Sequence, residues 1–360
     1  MYRKTWLEID TDKIRHNIEI LRRHSGKELM AVLKANAYGA GDIGVLHAVR
    51  AAGIQKIAVS SLEEALHMRR YGDEDILILG PVAPEHAGIC IENRITIPAY
   101  DMAMIKALPD DCTGLKVHIK ADTGMNRIGL DTLKDIQEAI RILQEKHADV
   151  EGIFTHFATA DSDLEYTEIQ FDKFSHFVRH AGHDFRYIHC DNSAATMDFQ
   201  DDLSNLCRIG IAMYGIPQGE LQHAVSFHTA IAMVKKVRRG ETISYGTTYT
   251  AQQDEWIATL PVGYADGLLR ANQGRHLLVN GELCEIVGRV CMDQCMIRLP
   301  QEYPVGTPVE IFGEHISVED MAEDLHTIPY EIFTGISDRV TRIYLDNGTK
   351  KEYHFRFDGK

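Results

Sequence analysis

The 360-residue chain predicts an α/β protein: an N-terminal (β/α)8 TIM-like barrel followed by a mostly β C-terminal domain. Three observations carry this expectation. About eight short apolar runs alternate with segments of helical period over roughly the first 200 residues, the pattern of parallel strands and crossover helices. Beyond residue 222 the helical period largely disappears, and β-like runs follow one another with glycine-containing turns between them. The length exceeds the usual size of one domain. The expected division is therefore 1–222 and 223–360.

The elements follow in order. Tyr2, Trp6, Leu7 and Ile9 predict a short strand, and Asp10 or Thr11 is placed to cap a helix with Ile14, Ile18 and Leu21 on one face. Leu29 to Leu33 is a continuous apolar run, as expected of a strand buried on both faces. Further strands are predicted at 57–60, 76–79, 94–97, 115–120, 150–156, 187–190 and 206–209. Between them, Ser61-Leu62-Glu63-Glu64 has the form of a capping box opening a helix that ends near Gly72. Another helix carries Ile136, Ile140 and Leu143 on one face. A third carries Phe171, Phe174, Phe177 and Val178, an aromatic stripe suited to packing against a barrel. In the second part, β-like runs span 227–237, 256–261, 276–279, 283–290, 294–299, 309–312 and 342–345, with helical segments near 317–325 and 330–335.

Composition excludes several classes. A net charge of −15 supplies no basic face for nucleic acid or an anionic membrane. No apolar run approaches the roughly 18 residues of a membrane span, and the N-terminus lacks a secretory apolar core, so a cytoplasmic location is expected. Seven scattered cysteines do not make a disulfide framework. Cys291 and Cys295 have no histidine at ligand spacing, and both read as small apolar strand residues; no metal is expected.

The chemistry centres on Leu29 to Gly41. The apolar run stops at Lys34, and Tyr38, Gly39 and Gly41 follow with a hydroxyl and backbone N–H groups that an anion can approach. An isolated strand-end lysine usually just extends to water. A lysine beside a phosphate cradle instead suits pyridoxal 5'-phosphate, whose aldehyde condenses with an unprotonated amine; burial and nearby cations favour that form. The stretch Ala31-Val32-Leu33-Lys34-Ala35-Asn36-Ala37-Tyr38-Gly39 closely resembles the cofactor-lysine motif of bacterial alanine racemases, and the likeness extends through most of the chain.

Seven further motifs carry the resemblance. The loop 122–129, Asp-Thr-Gly-Met-Asn-Arg-Ile-Gly, implies that Arg127 bonds the cofactor's phenolic oxygen and helps hold the substrate carboxylate, with Lys120 at the position many relatives carry as a carbamate. The motifs around His156, at 189–195 and at 207–215 imply a cofactor set of His156, Asn192, Ser193, Arg208, Gly210 and Ile211, besides Lys34 and Tyr38. There Ser193, Tyr38 and the N–H groups of Gly210 and Ile211 would hold the phosphate. Arg208 would face the pyridine nitrogen and, being permanently charged, keep it unprotonated, which favours racemisation over transamination or decarboxylation. Racemisation needs a base on each face of the α-carbon; the resemblance implies Lys34 and, from Ser244-Tyr245-Gly246, Tyr245. The motifs at 263–267 and 290–296 imply that Tyr264 lines the substrate approach and that Met292 and Asp293 bind substrate. In that family the β domain of one chain closes the barrel of another, so a homodimer is expected, with Tyr245, Tyr264, Met292 and Asp293 serving the partner's cofactor.

One departure stands out. Asp338, in Ile336-Ser337-Asp338-Arg339-Val340, occupies a position where some relatives carry a tyrosine that donates to the phosphate. A carboxylate there must be protonated, turned away or paired with a cation such as Arg339. The smaller residue also leaves room for a hydroxyl. The expected activity is interconversion of L- and D-alanine for peptidoglycan, with serine as an alternative substrate and a non-catalytic cofactor-binding protein as the reading from another class.

Overall fold

The computed structural model describes residues 2–217 and 219–353. The chain forms two compact units, one made of Arg15–Ala37 and Val45–Met213, the other of Met1–Ile14, Tyr38–Gly44 and Tyr214–Lys360.

The first strand, β1 (Thr5–Asp10), belongs to the second of these units. The other unit holds β2 (Glu28–Val32), β3 (Lys56–Val59), β4 (Asp75–Ile78), β5 (Ile95–Ala99), β6 (Lys116–Lys120), β7 (Asp149–Phe154), β8 (Tyr187–His189) and β9 (Leu206–Ile209). They pair in parallel in sequence order, and β9 lies beside β2. Hydrogen bonds from Asn205 N to Ile188 O (2.9 Å) and from Arg208 N to Asp191 O (3.0 Å) join β9 to β8 and its extension, closing the ring. The predicted (β/α)8 barrel is therefore present.

The strands are buried because they read as apolar runs, and the helices cover them with apolar stripes. In Leu133–Glu145 the expected face of Ile136, Ile140 and Leu143 is buried, and Thr132 caps the helix by accepting from Asp135 N. Each such buried aliphatic side chain contributes about 1.5–3 kcal/mol. In Leu164–His180, Phe174 and Phe177 are buried, and Asp163 accepts from Tyr166 N. Ser61 caps Leu62–Arg69, but Glu64 does not close the box onto Ser61; its carboxylate takes the N–H of Ser60 and that of Ala35. Asp10, not Thr11, caps the first helix, accepting from Asp12 N and Lys13 N at 3.0 Å. Thr11 Oγ donates instead to Leu345 O.

The second unit is mostly β. A seven-stranded sheet runs in the order 282–285, 276–279, 308–312, 225–230, β1, 341–346 and 349–353. β1 is antiparallel to Val225–Ala230 and parallel to Thr341–Asp346, so the N-terminal strand, though first in the chain, pairs with C-terminal strands. A three-stranded sheet combines 233–237, 255–260 and 295–299. The run expected as one strand over 227–237 is thus two strands in different sheets. Ile231 N bonds Thr307 O and Ala232 N bonds Thr259 O, so the chain changes sheet across these two apolar residues, which hydropathy cannot reveal. Likewise 283–290 is a strand only over Glu282–Glu285, because Gly288 turns the backbone with φ 70°. Cys295 is a buried strand residue as expected, whereas Cys291 lies outside any strand. Among the described residues no helix is long and apolar enough to cross a membrane.

The candidate active site at the barrel mouth

Lys34 lies two residues beyond β2, and the chain after it does something unusual. Ala35, Asn36, Ala37 and Tyr38 all have left-handed backbone angles, with φ between 50° and 57°. L-residues avoid this region at a cost of roughly 1–2 kcal/mol each, and such strain persists only where the surroundings enforce it. Two anchors do so on the first unit's side: Ala37 N bonds Leu33 O at 2.9 Å, and Ala35 N bonds Glu64 Oε1 at 2.7 Å. In the second unit, the guanidinium of the fully buried Arg342 donates to Gly39 O, and Tyr344 Oη donates to Ala40 O at 2.7 Å. Gly39 has φ 81°, and a Cβ there would lie 2.2 Å from Phe333 O, so only glycine fits.

The Lys34 amine is pushed below its ordinary pKa, first by burial and then by the charges of Arg127 and Arg208, against the opposing pull of Glu64. Lys120 ends β6, is only 3% exposed, and donates from Nζ to Ala121 O at 2.7 Å. Burial, with Arg208 as the largest cationic influence, lowers its pKa to about 7. Arg127 is exposed on a loop that Asp122 builds, its Oδ1 accepting from Gly124 N and Asn126 N at 2.9 and 3.1 Å.

Arg208, in β9, is fixed from two sides. Its Nη1 donates to His189 Nδ1 and His189 O, and its Nη2 to Thr155 O, Cys190 O and His156 Nδ1 (3.3 Å). Among the described residues its Nε–H has no acceptor, leaving that one donor for a ligand atom. His156, just past β7, is held neutral, its pKa driven well down by burial and by the neighbouring cations. Asn192 caps the helix Ser193–Asp198 by accepting from Ala195 N, and Ser193 Oγ receives the N–H groups of Gly210 (2.9 Å) and Ala212 (3.3 Å). Accepting both, the Ser193 hydroxyl is held in place with its own O–H left as a donor. Behind it, Asp191 and Asp201 take the Lys27 ammonium between them. Lys34, Lys120, Arg127, His156, Asn192, Ser193, Arg208, Gly210 and Ile211 thus all belong to the barrel unit, at or just past strand ends.

The remaining candidates lie in the other unit. Tyr38 is buried against the rings of Tyr214 (5.8 Å) and Tyr330 (5.9 Å), and burial raises its pKa. Tyr245 sits in a short 3-10 turn, 71% exposed, after Ser244, whose φ is 69°. Tyr264 and Met292 lie on joined loops, Tyr264 N bonding Cys291 O and Ala265 N bonding Met292 O; both side chains are exposed. Sequence reading missed what anchors these loops. Asp266, fully buried, takes both Arg3 and Arg339, and Arg339 in turn pairs with Asp293 at 2.7 Å. Arg339 is therefore engaged by Asp266 and Asp293, and the cation whose charge Asp338 influences is Arg342. The acidic residues next to Tyr264 and Met292 in their motifs were the available signal.

Comparison with known proteins agrees across the chain. Residues 9–218 match the family model "Alanine racemase, N-terminal domain", and residues 224–344 match "Alanine racemase, C-terminal domain". The alanine racemase of Anoxybacillus flavithermus is 43% identical over 96% of both chains, and alanine racemase 1 of Bacillus subtilis is 41% identical over 98% of this chain and 95% of that one. The crystal structure of alanine racemase from Bacillus anthracis with bound L-Ala-P superposes with a TM-score of 0.94 at 39% identity, covering 99% of each chain. With two family models matching in tandem over a barrel and a β domain in that order, the chain belongs to the alanine racemase family.

Proposed function

We propose that the chain interconverts L- and D-alanine with pyridoxal 5'-phosphate attached at Lys34, using Lys34 and Tyr245 as the two bases, and that D-alanine made this way supplies peptidoglycan. The observation that carries the reading is the Lys34 amine just past the end of a buried strand, lowered in pKa by burial and by Arg127 and Arg208, together with an Arg208 Nε–H that has no acceptor among the described residues. Within the barrel unit the donors suit the cofactor: Ser193 with the backbone at Gly210 and Ile211 would hold the phosphate, Arg208 Nε the pyridine nitrogen and Arg127 the phenolic oxygen, with His156 and Asn192 alongside. When bound, pyridoxal phosphate acidifies the α-proton of an amino acid joined to it.

The chain's own residues do the rest. Lys34 Nζ takes or returns a proton on one face of the α-carbon, and its lowered pKa leaves more of it as free base near neutrality. Tyr245 Oη, from a second copy of the chain, serves the opposite face. That assignment accords with its exposure on its own chain, as do the exposed Tyr264, Met292 and Asp293 with substrate binding in a homodimer. Arg208 would offer its Nε–H to the ring nitrogen and, remaining charged, would add no proton there. Lys120 carries a carbamate: a neutral amine attacks carbon dioxide and releases one proton, and a pKa of about 7 keeps much of it neutral at physiological pH. The resulting anion would orient Arg127, where an ammonium would repel it.

The test joins a chiral assay of purified protein on L-alanine with borohydride reduction and peptide mapping. Racemisation with the label on Lys34 is expected; a label elsewhere in active protein overturns the assignment.

A further inference from the structure

Inside the barrel, a chain of hydrogen bonds leads away from Arg208 that the reaction as described does not use. Arg208 Nη1 donates to His189 Nδ1 at 2.8 Å, His189 Nε2 lies 2.8 Å from His118 Nδ1, and His118 Nε2 lies 3.5 Å from Glu151 Oε1. All four side chains are buried. An arginine only donates, so His189 must keep its lone pair on Nδ1 and its proton on Nε2. That proton needs an acceptor, so His118 keeps its lone pair on Nδ1 and its proton on Nε2, facing the Glu151 carboxylate. The guanidinium at one end and the Glu151 carboxylate at the other thus call for the same tautomers, and a donor in place of the carboxylate would set the two ends against each other.

The fold is shaped around this path. A Cβ on Gly152 would lie 2.7 Å from His118 Cε1 and Nδ1, so glycine beside Glu151 makes room for the ring. The β6–β7 register shifts between Val117 and His118. Phe154 stacks on His189 at 4.9 Å and Tyr187 on His118 at 5.9 Å, sealing the path from water. Glu151 is itself held by Lys116 (3.5 Å), Arg186 (3.2 Å) and Thr96 (3.2 Å).

We propose that Glu151, acting through His118 and His189, is a positioning residue for Arg208, setting the direction of its hydrogen bonds from the third position of β7. This rests on the reading of Arg208 as the partner of the cofactor's ring nitrogen. Burial and the Arg208 charge hold both imidazoles neutral, as a tautomer-directed path requires.

The test is Glu151→Gln. Lys116 and Arg186 attract the amide oxygen, which turns the NH2 toward His118 Nε2 and forces that nitrogen to accept. The proton moves to His118 Nδ1, His189 follows, and an N–H then meets Arg208 head-on. Imidazole 15N spectra of the full-length protein without cofactor, assigned with His118→Gln and His189→Asn, read this directly. Wild type should show both histidines protonated on Nε2; Glu151→Gln should show loss of that form, and Glu151→Asp should restore it. In loaded protein kcat should fall about tenfold in Glu151→Gln with KM little changed, the size expected when an outer hydrogen-bond partner is lost. A proton on His189 Nδ1 in wild type overturns the proposal, as does a tautomer change without loss of kcat or a loss of kcat without a tautomer change. Borohydride labelling of Lys34 in both proteins keeps the cofactor assignment separate, since its failure condemns that reading and leaves the spectra to judge the path.

Discussion

Replacing Lys120 with Met should reveal how much the barrel mouth costs the fold. The Lys120 pKa falls from 10.5 to about 7, a fall of about 3.5, which at about 1.4 kcal/mol per pKa unit is about 5 kcal/mol at full effect. The sign follows from proton counting. Between about pH 7 and 10.5 the unfolded chain holds the proton on this amine and the folded chain does not, so stability rises with pH across that window. Below pH 7 the whole penalty applies, and above about 10.5 it is gone. Lys120→Met removes it and also removes the bond to Ala121 O, a loss of about 1 kcal/mol that does not vary with pH. In urea titrations of cofactor-free protein at one concentration, in buffers stripped of carbon dioxide, the advantage of Lys120→Met over wild type should shrink by about 2–3 kcal/mol between pH 6 and pH 9. Adding bicarbonate at pH 8 should stabilise wild type and leave the variant unchanged, because only wild type can place an anion among the cations. A pH-independent difference between the two proteins would refute the account of Lys120.

Tyr245→Phe should keep the absorbance of bound cofactor yet lose α-proton exchange from one enantiomer; equal exchange from both in deuterated water, read by mass spectrometry, would remove Tyr245 as the second base. Asp338→Tyr should lower the serine-to-alanine ratio of kcat/KM by several-fold if the smaller side chain admits a hydroxyl, and an unchanged ratio would discard that role. Ala35→Gly should stabilise the protein by up to about 1 kcal/mol, since glycine meets no penalty at φ 54° while giving back part of the gain as unfolded-state entropy. A lower urea midpoint for that variant would mean that the left-handed turn is not strained.

Much of the barrel was legible because buried parallel strands read as apolar runs and their helices as stripes with Ser, Thr or Asp caps. The second unit was less so, because residues such as Ile231 and Ala232 are as apolar as the strands on either side and nothing local marks a change of sheet. Nor could local pattern place β1, whose partners at 225–230 and 341–346 are more than 200 residues away. Motifs located Lys34, Arg208 and Ser193, since each carries its own turn or strand end. They could not give the long-range contacts of Glu64, Asp266 or Glu151, which only the folded chain creates.

The charge pattern explains why these hidden residues matter. The chain carries a net −15, yet Arg127 and Arg208 both act electrostatically on Lys34 and on Lys120. The two guanidinium groups, with burial, lower the proton affinity of both amines. The same repulsion opposes folding. Anions that bind this mouth, whether a phosphate, a substrate carboxylate or a carbamate, relieve it, and by linkage they stabilise the folded state in proportion to their occupancy. Arg208 cannot use that relief directly, because its two Nη groups are committed to carbonyls and imidazoles rather than to carboxylates. A buried guanidinium in such a setting stays put only if every neighbour accepts, which places the burden of its orientation on the tautomers of His189 and His156.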